Sequence, residues 1–240
     1  MRILGIIPSR YASLRFPGKP LIDIAGKSMI RRVYEQASKA TCLSDLVVAT
    51  DDTRIFDEIK KHGGIAMMTS PNHQNGTERC AEVVELLNEK FNFVINIQGD
   101  EPFISPTQID LLGKNLSQET KLATLIKKEA EKALFNNPNT IKVTVDKDGR
   151  ALYFSRAPLP HFKNHNTIQK FNKHIGIYAY RVDILNRITK LPPSNLELAE
   201  SLEQLRWLEN GFEIDIFETM EDSHSIDTPD DLQRVMSLQN

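Results

Sequence analysis

In the first half of the chain, short apolar runs alternate with segments whose apolar residues recur at helical spacing. The strand-length runs lie at residues 3–7, 45–50, 65–69 and 93–97. Segments of helical spacing follow these runs, as in residues 28–40, where Ser28 is placed to cap a helix. Runs that are apolar at nearly every position predict strands buried on both faces. The alternation therefore predicts βαβ units around a parallel sheet, which is an α/β fold.

The second half of the chain departs from this alternation. Residues 140–145 and 151–154 flank a turn-forming segment with Gly149 near its end, which predicts a β-hairpin. Residues 155–173 are rich in Pro, His and Asn and show no period, so we expect a long loop there. Residues 174–180 predict a strand that follows this loop.

Two capped helices and one strand are predicted towards the C-terminus. Ser194 and Glu197 form a capping-box pattern, and the helix that they begin is expected to end at Gly211. Residues 212–217 predict the last strand. The Thr-Pro-Asp-Asp sequence at residues 228–231 is typical of a helix start and predicts a final helix with its own capping box.

Size and charge disfavour several classes of protein. A chain of 240 residues, 40% of them apolar, can form one domain with a full core. Its formal net charge of −2 provides no basic field, so we expect neither nucleic acid nor a membrane surface as a partner. No run approaches the ~20 apolar residues of a membrane helix and no signal-peptide pattern is present, so we expect a cytoplasmic protein. Cys42 and Cys80 lack zinc-ligand spacing, and we expect them to be free thiols.

A cationic loop follows the first predicted strand. It carries Arg10, Arg15 and Lys19. Ligands of α/β folds usually bind beyond the carboxyl ends of the strands, so these cations favour an anionic ligand such as a phosphate chain. A solvated surface loop would carry the same residues, and the cations alone leave both interpretations open.

Two acidic residues are candidates for a metal site. Asp100 follows the predicted central strand, directly behind Gly99, which lets the backbone approach a ligand closely. Carboxylate oxygen atoms suit Mg²⁺, which binds through one or two carboxylates together with substrate phosphates and water. Asp227 is the candidate second ligand, but its surroundings are equally typical of a well-capped helix start.

The second half of the chain offers candidates for binding a carboxylate. Arg156 follows a predicted strand, where a bidentate guanidinium could hold a carboxylate, and His174 begins the next strand and could donate to one. Glu203 and Gln204 lie beside the apolar stripe of a predicted helix. Each has an ordinary alternative, as a surface arginine, a satisfied histidine or a solvated helix face. The chain has no Ser-His-Asp arrangement, no Walker motif and no GxGxxG after its first strand, which disfavours a nicotinamide dehydrogenase.

Taken together, several stretches resemble the 3-deoxy-manno-octulosonate cytidylyltransferases, the CMP-Kdo synthetases of lipopolysaccharide synthesis. They occur in the family's order and at about its spacing over nearly the whole chain. The stretches are IIPSRYASLRFPGKPL, VVATDD, MTSPNHQNGTER, INIQGDEP, ALYFSRAPLP, HIGIYAYR, ESLEQLRWLENG and IDTPDDL. The ordered set is specific, whereas FPGKP or QGDEP alone would fit several nucleotidyltransferases. One departure is Asn75, where the family mostly has Ser.

The resemblance implies a Rossmann-like nucleotide-diphospho-sugar transferase fold, with a mixed, mostly parallel sheet flanked by helices in a single domain over residues 1–240. Residues 130–200 are expected to contribute a smaller lobe for sugar binding and homodimer contact. The implied reaction converts CTP and Kdo into CMP-Kdo and pyrophosphate, with Mg²⁺ as cofactor. Two alternatives stay open: a cytidylyltransferase of the same fold for another acid sugar, such as 8-amino-Kdo or a sialic acid, and a nucleotide-binding protein without catalysis.

The resemblance also implies roles for individual residues. The implied catalytic residues are Arg10, Lys19, Asp100 and Asp227, of which Asp100 and Asp227 are the metal ligands. The implied nucleotide-binding residues are Pro8, Arg10, Arg15, Lys19, Ala49, Thr50, Asp51, Ser70, Gly76, Thr77 and Gln98. The implied sugar-binding residues are Gln98, Arg156, His174, Tyr178, Glu203 and Gln204.

Overall fold

The computed structural model describes residues 1–12, 16–87, 89–163, 170–222, 225–226 and 228–237, with side chains up to residue 233. Two of the candidate site residues, Arg15 and Asp227, lie outside the described residues. The chain divides into two compact units. Unit 1 comprises Met1–Lys114 and Ser223–Asn240, and unit 2 comprises Asn115–Asp222.

Strands and helices alternate along unit 1, and strands dominate unit 2. The strands of unit 1 are β1 (Ile3–Ser9), β2 (Asp23–Ile24), β3 (Lys27–Ser28), β4 (Asp45–Thr50), β5 (Ala66–Met68) and β6 (Phe93–Asn96). The strands of unit 2 are β7 (Leu122–Glu129), β8 (Lys142–Val145), β9 (Ala151–Ser155), β10 (Phe171–Arg181) and β11 (Ile214–Glu218). The α-helices are α1 (Met29–Ala37), α2 (Thr53–Lys61), α3 (Gly76–Leu87), α4 (Pro106–Asn115), α5 (Lys132–Asn136), α6 (Val182–Ile188), α7 (Asn195–Glu200), α8 (Gln204–Glu209) and α9 (Pro229–Ser237).

Unit 1 contains a parallel sheet in the order β6-β1-β4-β5. The inner strand β1 is buried at every position except Pro8. The amphipathic helix α1 buries Met29 and Val33, and the hydroxyl of Ser28 accepts a hydrogen bond from the N–H of Arg31 as its N-cap. The predicted parallel strands and the predicted Ser28 cap are therefore confirmed.

The prediction that the first strand ends before Pro8 was wrong, because β1 continues through Pro8 to Ser9. The ladder between β1 and β6 ends at the pair Ile6 and Asn96, whereas the ladder with β4 continues to Ser9. Proline is tolerated where one side of a strand lacks a partner, since no neighbour there requires its missing N–H. Pro8 lies at such a position.

Unit 2 contains a mixed sheet. β7 pairs in parallel with β11 and antiparallel with β10, and β8 pairs antiparallel with both β9 and β10. The predicted hairpin is confirmed in β8 and β9, where Gly149 adopts a φ of 82° in the turn. β10 begins at Phe171, three positions before the predicted start at His174.

The helix predicted from Ser194 to Gly211 is divided into α7 and α8. The capping box of Ser194 and Glu197 is present as predicted, but Ser201 ends α7 in a left-handed conformation with φ 52° and ψ 49°. Leu198 has helical spacing with Leu202 and Leu205, so one continuous helix would place it on the apolar face, yet it is 68% exposed. Side chains at the end of β9 and directly after it hold this break in place and are described below.

Together the elements confirm an α/β fold with a mixed, mostly parallel sheet flanked by helices. No helix in the described part of the chain is both long enough and apolar enough to span a membrane. The expected dimer contact through the smaller lobe stays a prediction.

Candidate functional site

The carboxyl ends of the parallel strands in unit 1 bring several candidate residues to one edge of its sheet. Arg10 follows β1 directly and is exposed, and Asp51 follows β4 and is half-buried. Ser9 pairs with Thr50 in the ladder, so these two strand ends lie side by side. In a parallel sheet this edge is the usual position for a ligand.

Lys19 and Asp100 contact each other directly. The Lys19 Nζ donates to the Asp100 Oδ2 at 2.7 Å, and the two side chains are 13% and 27% exposed. Gly18 precedes Lys19 with a φ of 71°, and a Cβ there would lie 3.0 Å from the Tyr11 hydroxyl oxygen. Only glycine combines this backbone conformation with such close packing. The backbone at Gly18 therefore sets the direction of the chain at Lys19.

Asp100 is placed by close packing between the ends of β1 and β6. A Cβ on Gly99 would lie 2.7 Å from the Pro8 carbonyl oxygen, so this approach requires glycine. The carbonyl of Asp100 accepts a hydrogen bond from the N–H of Ile226 at 2.9 Å. Ile226 is fully buried in a cluster with Ile24 and so brings the C-terminal segment to Asp100.

Asp100 fits a metal that uses few protein ligands. Its carboxylate is partly exposed and only its Oδ2 contacts Lys19 in the hydrogen bond described above. No group of three or more His, Cys, Asp and Glu within the described ranges could hold a metal by itself. Mg²⁺ usually binds through one or two carboxylates and completes its coordination with phosphates and water, so a larger protein cluster is not required.

Asp51 is held by a buried arginine that sequence reasoning missed. The Arg79 Nη2 lies 3.3 Å from the Asp51 Oδ2, and Nη1 donates to the hydroxyl of Thr69. The Arg79 side chain is 4% exposed. Arg79 therefore connects the residue after β4 to the residue after β5 with a guanidinium that is almost excluded from water.

The loop before α3 is held by carboxylates of that helix. The Asn75 Oδ1 accepts from the N–H of Glu78 at 2.8 Å, and the Glu78 Oε1 accepts from the Asn75 Nδ2 at 3.0 Å. The N–H of Ser70 donates to the Glu82 Oε2 at 2.8 Å, and the His73 Nε2 lies 2.6 Å from the same oxygen. Asn caps helices as well as Ser does, so Asn75 preserves the structural role at this position.

The remaining nucleotide-side candidates differ in exposure. Pro8, Asp51, Ser70, Gly76 and Gln98 are half-buried, whereas Ala49, Thr50 and Thr77 are buried. The half-buried residues present surface that a ligand can touch. Ala49, Thr50 and Thr77 expose at most 2% of their surface and present almost none to a ligand.

Arg156 of unit 2 is bound to backbone carbonyls. Its Nε donates to the carbonyl of Glu200 at 2.7 Å, Nη1 to that of Pro138 at 3.1 Å and Nη2 to that of Ser201 at 3.4 Å. The guanidinium is therefore fixed at the break between α7 and α8, where Glu203 and Gln204 follow.

Tyr178 and Gln204 are buried beside a group of aromatic rings. The Tyr178 ring contacts Trp207 edge-on with 5.3 Å between centroids and stacks against Tyr180 at 6.1 Å. The Tyr178 hydroxyl oxygen is buried and has no hydrogen-bond partner in the part of the chain that the structure describes. Burial, with smaller contributions from Tyr180 and Glu203, raises the pKa of Tyr178 well above its ordinary value, so the hydroxyl keeps its proton.

His174 contacts the hydroxyl of Thr124. The Thr124 Oγ1 lies 2.7 Å from the carbonyl oxygen of Ile177, 3.1 Å from that of Ile175 and 3.0 Å from the His174 Nε2. The hydroxyl has one proton and faces two carbonyls, so it accepts from the Nε2–H of the histidine. Burial lowers the pKa of His174 to about 3, so the ring is neutral and its other nitrogen is an acceptor. The interpretation of His174 as a donor to a carboxylate therefore does not fit this geometry.

We expect His174 to reduce stability in acid. An unfolded histidine takes up a proton near pH 6.5, whereas folded His174 does so only at about pH 3. Between these pH values the unfolded state binds more protons than the folded state. The contribution of neutral His174 to the free energy of unfolding is therefore complete above about pH 6.5 and falls as the pH drops towards 3. Urea unfolding gives the free energy of unfolding at about pH 7.5 and at about pH 5. The decrease between these pH values should be smaller in a His174→Asn variant than in wild type. An equal difference would contradict the assignment.

Sequence reasoning also missed Lys142 and Glu200. Lys142 is 0% exposed, and its Nζ donates to the carbonyls of Asn137, Thr140 and Arg156 at 3.0, 2.6 and 2.6 Å. A charged residue inside an apolar, strand-like run was the only signal for Lys142. Glu200 gave no local signal at all, because its partners lie on β9.

Comparison with known proteins identifies related sequences and folds. Residues 4–219 match a family model described as cytidylyltransferase. A 3-deoxy-manno-octulosonate cytidylyltransferase of Cytophaga hutchinsonii is 53% identical over an alignment of 240 positions, which covers 97% of this chain and 96% of that protein. A 3-deoxy-manno-octulosonate cytidylyltransferase of Parabacteroides distasonis is 47% identical, and the alignment covers 99% of this chain and 98% of that protein. A solved structure of CMP:2-keto-3-deoxy-manno-octonic acid synthetase complexed with CTP is 40% identical, with a TM-score of 0.93 over 100% of this chain and 98% of that one.

Proposed function

Because the chain belongs to the 3-deoxy-manno-octulosonate cytidylyltransferase family, we propose that it transfers the cytidylyl group of CTP to Kdo in lipopolysaccharide biosynthesis. The anomeric hydroxyl oxygen of Kdo forms a bond to the α-phosphorus of CTP, and the bond from that phosphorus to the β-phosphate oxygen breaks. The hydroxyl proton is released, and the products are CMP-Kdo and pyrophosphate.

The observation that carries this proposal is the contact between Lys19 and Asp100 at the carboxyl edge of the unit 1 sheet. An ammonium has three N–H donors, so Lys19 can bind a phosphate oxygen while it contacts Asp100. Arg10 follows β1 at the same edge and is exposed. Both cations can neutralise the charge that develops on the leaving pyrophosphate, and they hold the triphosphate for in-line attack.

Asp100 is proposed to hold Mg²⁺ together with Asp227 and the phosphates of CTP. When bound, this ion would neutralise phosphate charge and lower the pKa of the attacking hydroxyl. Support comes from the partly exposed Asp100 carboxylate and from the hydrogen bond between Asp100 and Ile226, the residue before Asp227 in the sequence.

The nucleotide contacts are proposed for the half-buried residues of unit 1. Asp51, Ser70, Gly76 and Gln98 present surface, and α3 begins at Gly76, where helix N–H groups favour an anion. Of these, Asp51 is fixed by the buried Arg79. A fixed side chain orients a base with little loss of entropy on binding.

The sugar contacts are proposed for residues of unit 2. Arg156 supplies the cation that a 2-keto acid carboxylate requires, and the Tyr178 hydroxyl is protonated. His174 would contact a hydroxyl of the sugar through its acceptor nitrogen. Glu203 and Gln204 supply further polar groups directly after the helix break.

Pyrophosphate release tests the proposal. Purified protein should release pyrophosphate from CTP and Mg²⁺ when Kdo is offered, and clearly less with 8-amino-Kdo or a sialic acid. Release with a sialic acid and not with Kdo would contradict the proposed substrate. Binding of CTP without release for any acid sugar would instead indicate a nucleotide-binding protein. Homodimer formation and a cytoplasmic location stay predictions, and gel filtration against mass standards tests the first.

A further inference from the structure

Glu200 is the last residue of α7, and its carboxylate binds the end of β9. The Oε1 accepts from the hydroxyls of Ser155 at 2.5 Å and Tyr153 at 3.3 Å, and the Oε2 accepts from the N–H of Arg156 at 2.8 Å. Burial alone would raise the pKa of Glu200, but hydrogen bonds from Ser155, the Arg156 N–H and Tyr153 hold the pKa below its ordinary value. The carboxylate is therefore charged, and both of its oxygens accept hydrogen bonds from residues at the end of β9.

The backbone that follows this carboxylate binds the same arginine. The carbonyls of Glu200 and Ser201 accept from the Arg156 guanidinium. The backbone N–H of Arg156 thus binds the Glu200 carboxylate, and the Arg156 guanidinium binds the Glu200 carbonyl. From the other side, the buried Lys142 donates to the Arg156 carbonyl at 2.6 Å. The backbone of Arg156 consequently has little freedom to move.

The same contacts explain why the chain leaves the helix after Glu200. Ser201 adopts a left-handed conformation, which is unfavourable for a residue other than glycine. Two hydroxyls of β9 and the N–H of Arg156 donate to the carboxylate, and the Arg156 guanidinium donates to the two carbonyls. These bonds offset the cost, because a continuous helix would withdraw those carbonyls. Glu203 and Gln204 follow this break directly in the chain.

We propose that Glu200 is a positioning residue for the sugar acid, which aligns Arg156 with Glu203 and Gln204. The inference rests on the proposed function, since the alignment matters only if these side chains bind the sugar. A shift of about 1 Å in such a site can cost about a hundredfold in rate. Glu200 itself has its carboxylate occupied by β9 and acts through these neighbours.

Glu200→Ala removes the acceptor for all three donors and tests the proposal. We expect KM for Kdo to rise at least about tenfold, with KM for CTP within about twofold of wild type. Glu200→Gln should restore part of the affinity, because its oxygen can accept from the Arg156 N–H while the Ser155 hydroxyl changes from donor to acceptor. An unchanged KM for Kdo in Glu200→Ala would overturn the proposal.

Glu197→Ala is the matched control on the same helix. Glu197 forms the capping box with Ser194 and binds Arg206 at 2.7 Å, so its loss should destabilise α7 at least as much as the loss of Glu200. We expect a lower midpoint of thermal unfolding but a KM for Kdo within about twofold of wild type. If Glu197→Ala raised this KM as much as Glu200→Ala does, loss of stability would explain both, and the proposal would fail.

The catalytic function and the positioning role of Glu200 are refuted by different results. If the wild-type protein released no pyrophosphate from CTP and Kdo, the proposed function would be refuted. If it turned over normally and Glu200→Ala kept the wild-type KM for Kdo, only the positioning role would be refuted. Circular dichroism of each variant excludes global unfolding as the cause of a changed KM.

Discussion

Replacing Asp100 with Asn is expected to reduce pyrophosphate release by about a thousandfold, which corresponds to about 4 kcal/mol of lost transition-state stabilisation. Asn keeps the shape of the side chain and an oxygen that can still accept from the Lys19 Nζ, which now lies 2.7 Å from Asp100. It removes the negative charge that a divalent ion requires. Unfolding should stay close to wild type, because the amide oxygen of Asn still satisfies the Lys19 Nζ as an acceptor.

A binding measurement separates this effect from damage to the fold. In wild type, Mg²⁺ should strengthen CTP binding in calorimetry, and in Asp100→Asn this strengthening should disappear. Asp110→Asn is a suitable control, since Asp110 also lies in unit 1 but accepts from Thr41 and Cys42 on another side of the structure. Turnover of Asp100→Asn within about tenfold of wild type would contradict the metal assignment.

Predictions that rest on local backbone physics are confirmed closely. The Ser28 hydroxyl accepts from the N–H of Arg31, three residues along the chain, as the sequence predicts. The predicted capping box of Ser194 and Glu197 is also present. At the start of α9, the N–H of Thr228 donates to the Asp231 carboxylate and the N–H of Asp231 donates to the Thr228 hydroxyl, as predicted. Such contacts span three residues, so the sequence contains both partners within one short window.

Predictions fail where distant residues decide the local conformation. The pattern from Ser194 to Gly211 predicts one helix, because capping and apolar spacing are both favourable. The helix breaks at Ser201 because Arg156, 44 residues from Glu200 in the sequence, binds the carboxylate and carbonyls there. No window of the sequence contains both halves of this contact. Tertiary hydrogen bonds therefore override the helical preference.

In the candidate site, too, local rules predict some features and distant residues determine others. The position of Asp100 beyond a strand end follows from the rule that ligands bind at the carboxyl edge of a parallel sheet. Its contact with Lys19, 81 residues away, does not follow from that rule. Arg79 also carried no signal, since a helix position three residues after Gly76 gives no hint that its guanidinium is buried. Charged side chains are almost never buried without partners, and those partners become visible only in the fold.

Replacing the buried Arg79 with Met is expected to lower the free energy of unfolding by about 3 kcal/mol. The substitution leaves the Asp51 carboxylate without its cation and the Thr69 hydroxyl without its charged donor. Losing one partner of a buried pair costs about 3–5 kcal/mol, and the lower end applies because the Asp51 side chain is 17% exposed. Met replaces the apolar stem of Arg, so the packing of that stem changes little.

Arg54→Met is the matched control for burial. The Arg54 Nη2 lies 2.6 Å from the Asp52 Oδ2, closer than Arg79 lies to Asp51, but its side chain is 56% exposed. Exposed pairs contribute little, so urea unfolding of this variant should resemble wild type despite the shorter distance. Equal losses in the Arg79 and Arg54 variants would show that burial does not decide the effect.

A double variant identifies the cause of the loss. If the unpaired charge on Asp51 destabilises Arg79→Met, then adding Asp51→Asn should recover part of the lost stability, because a neutral amide tolerates partial burial better than a carboxylate. If lost packing is the cause, the two changes should instead reduce stability additively. Urea unfolding of the single variants and the double variant distinguishes these outcomes, and additive losses would refute the charge explanation for Arg79.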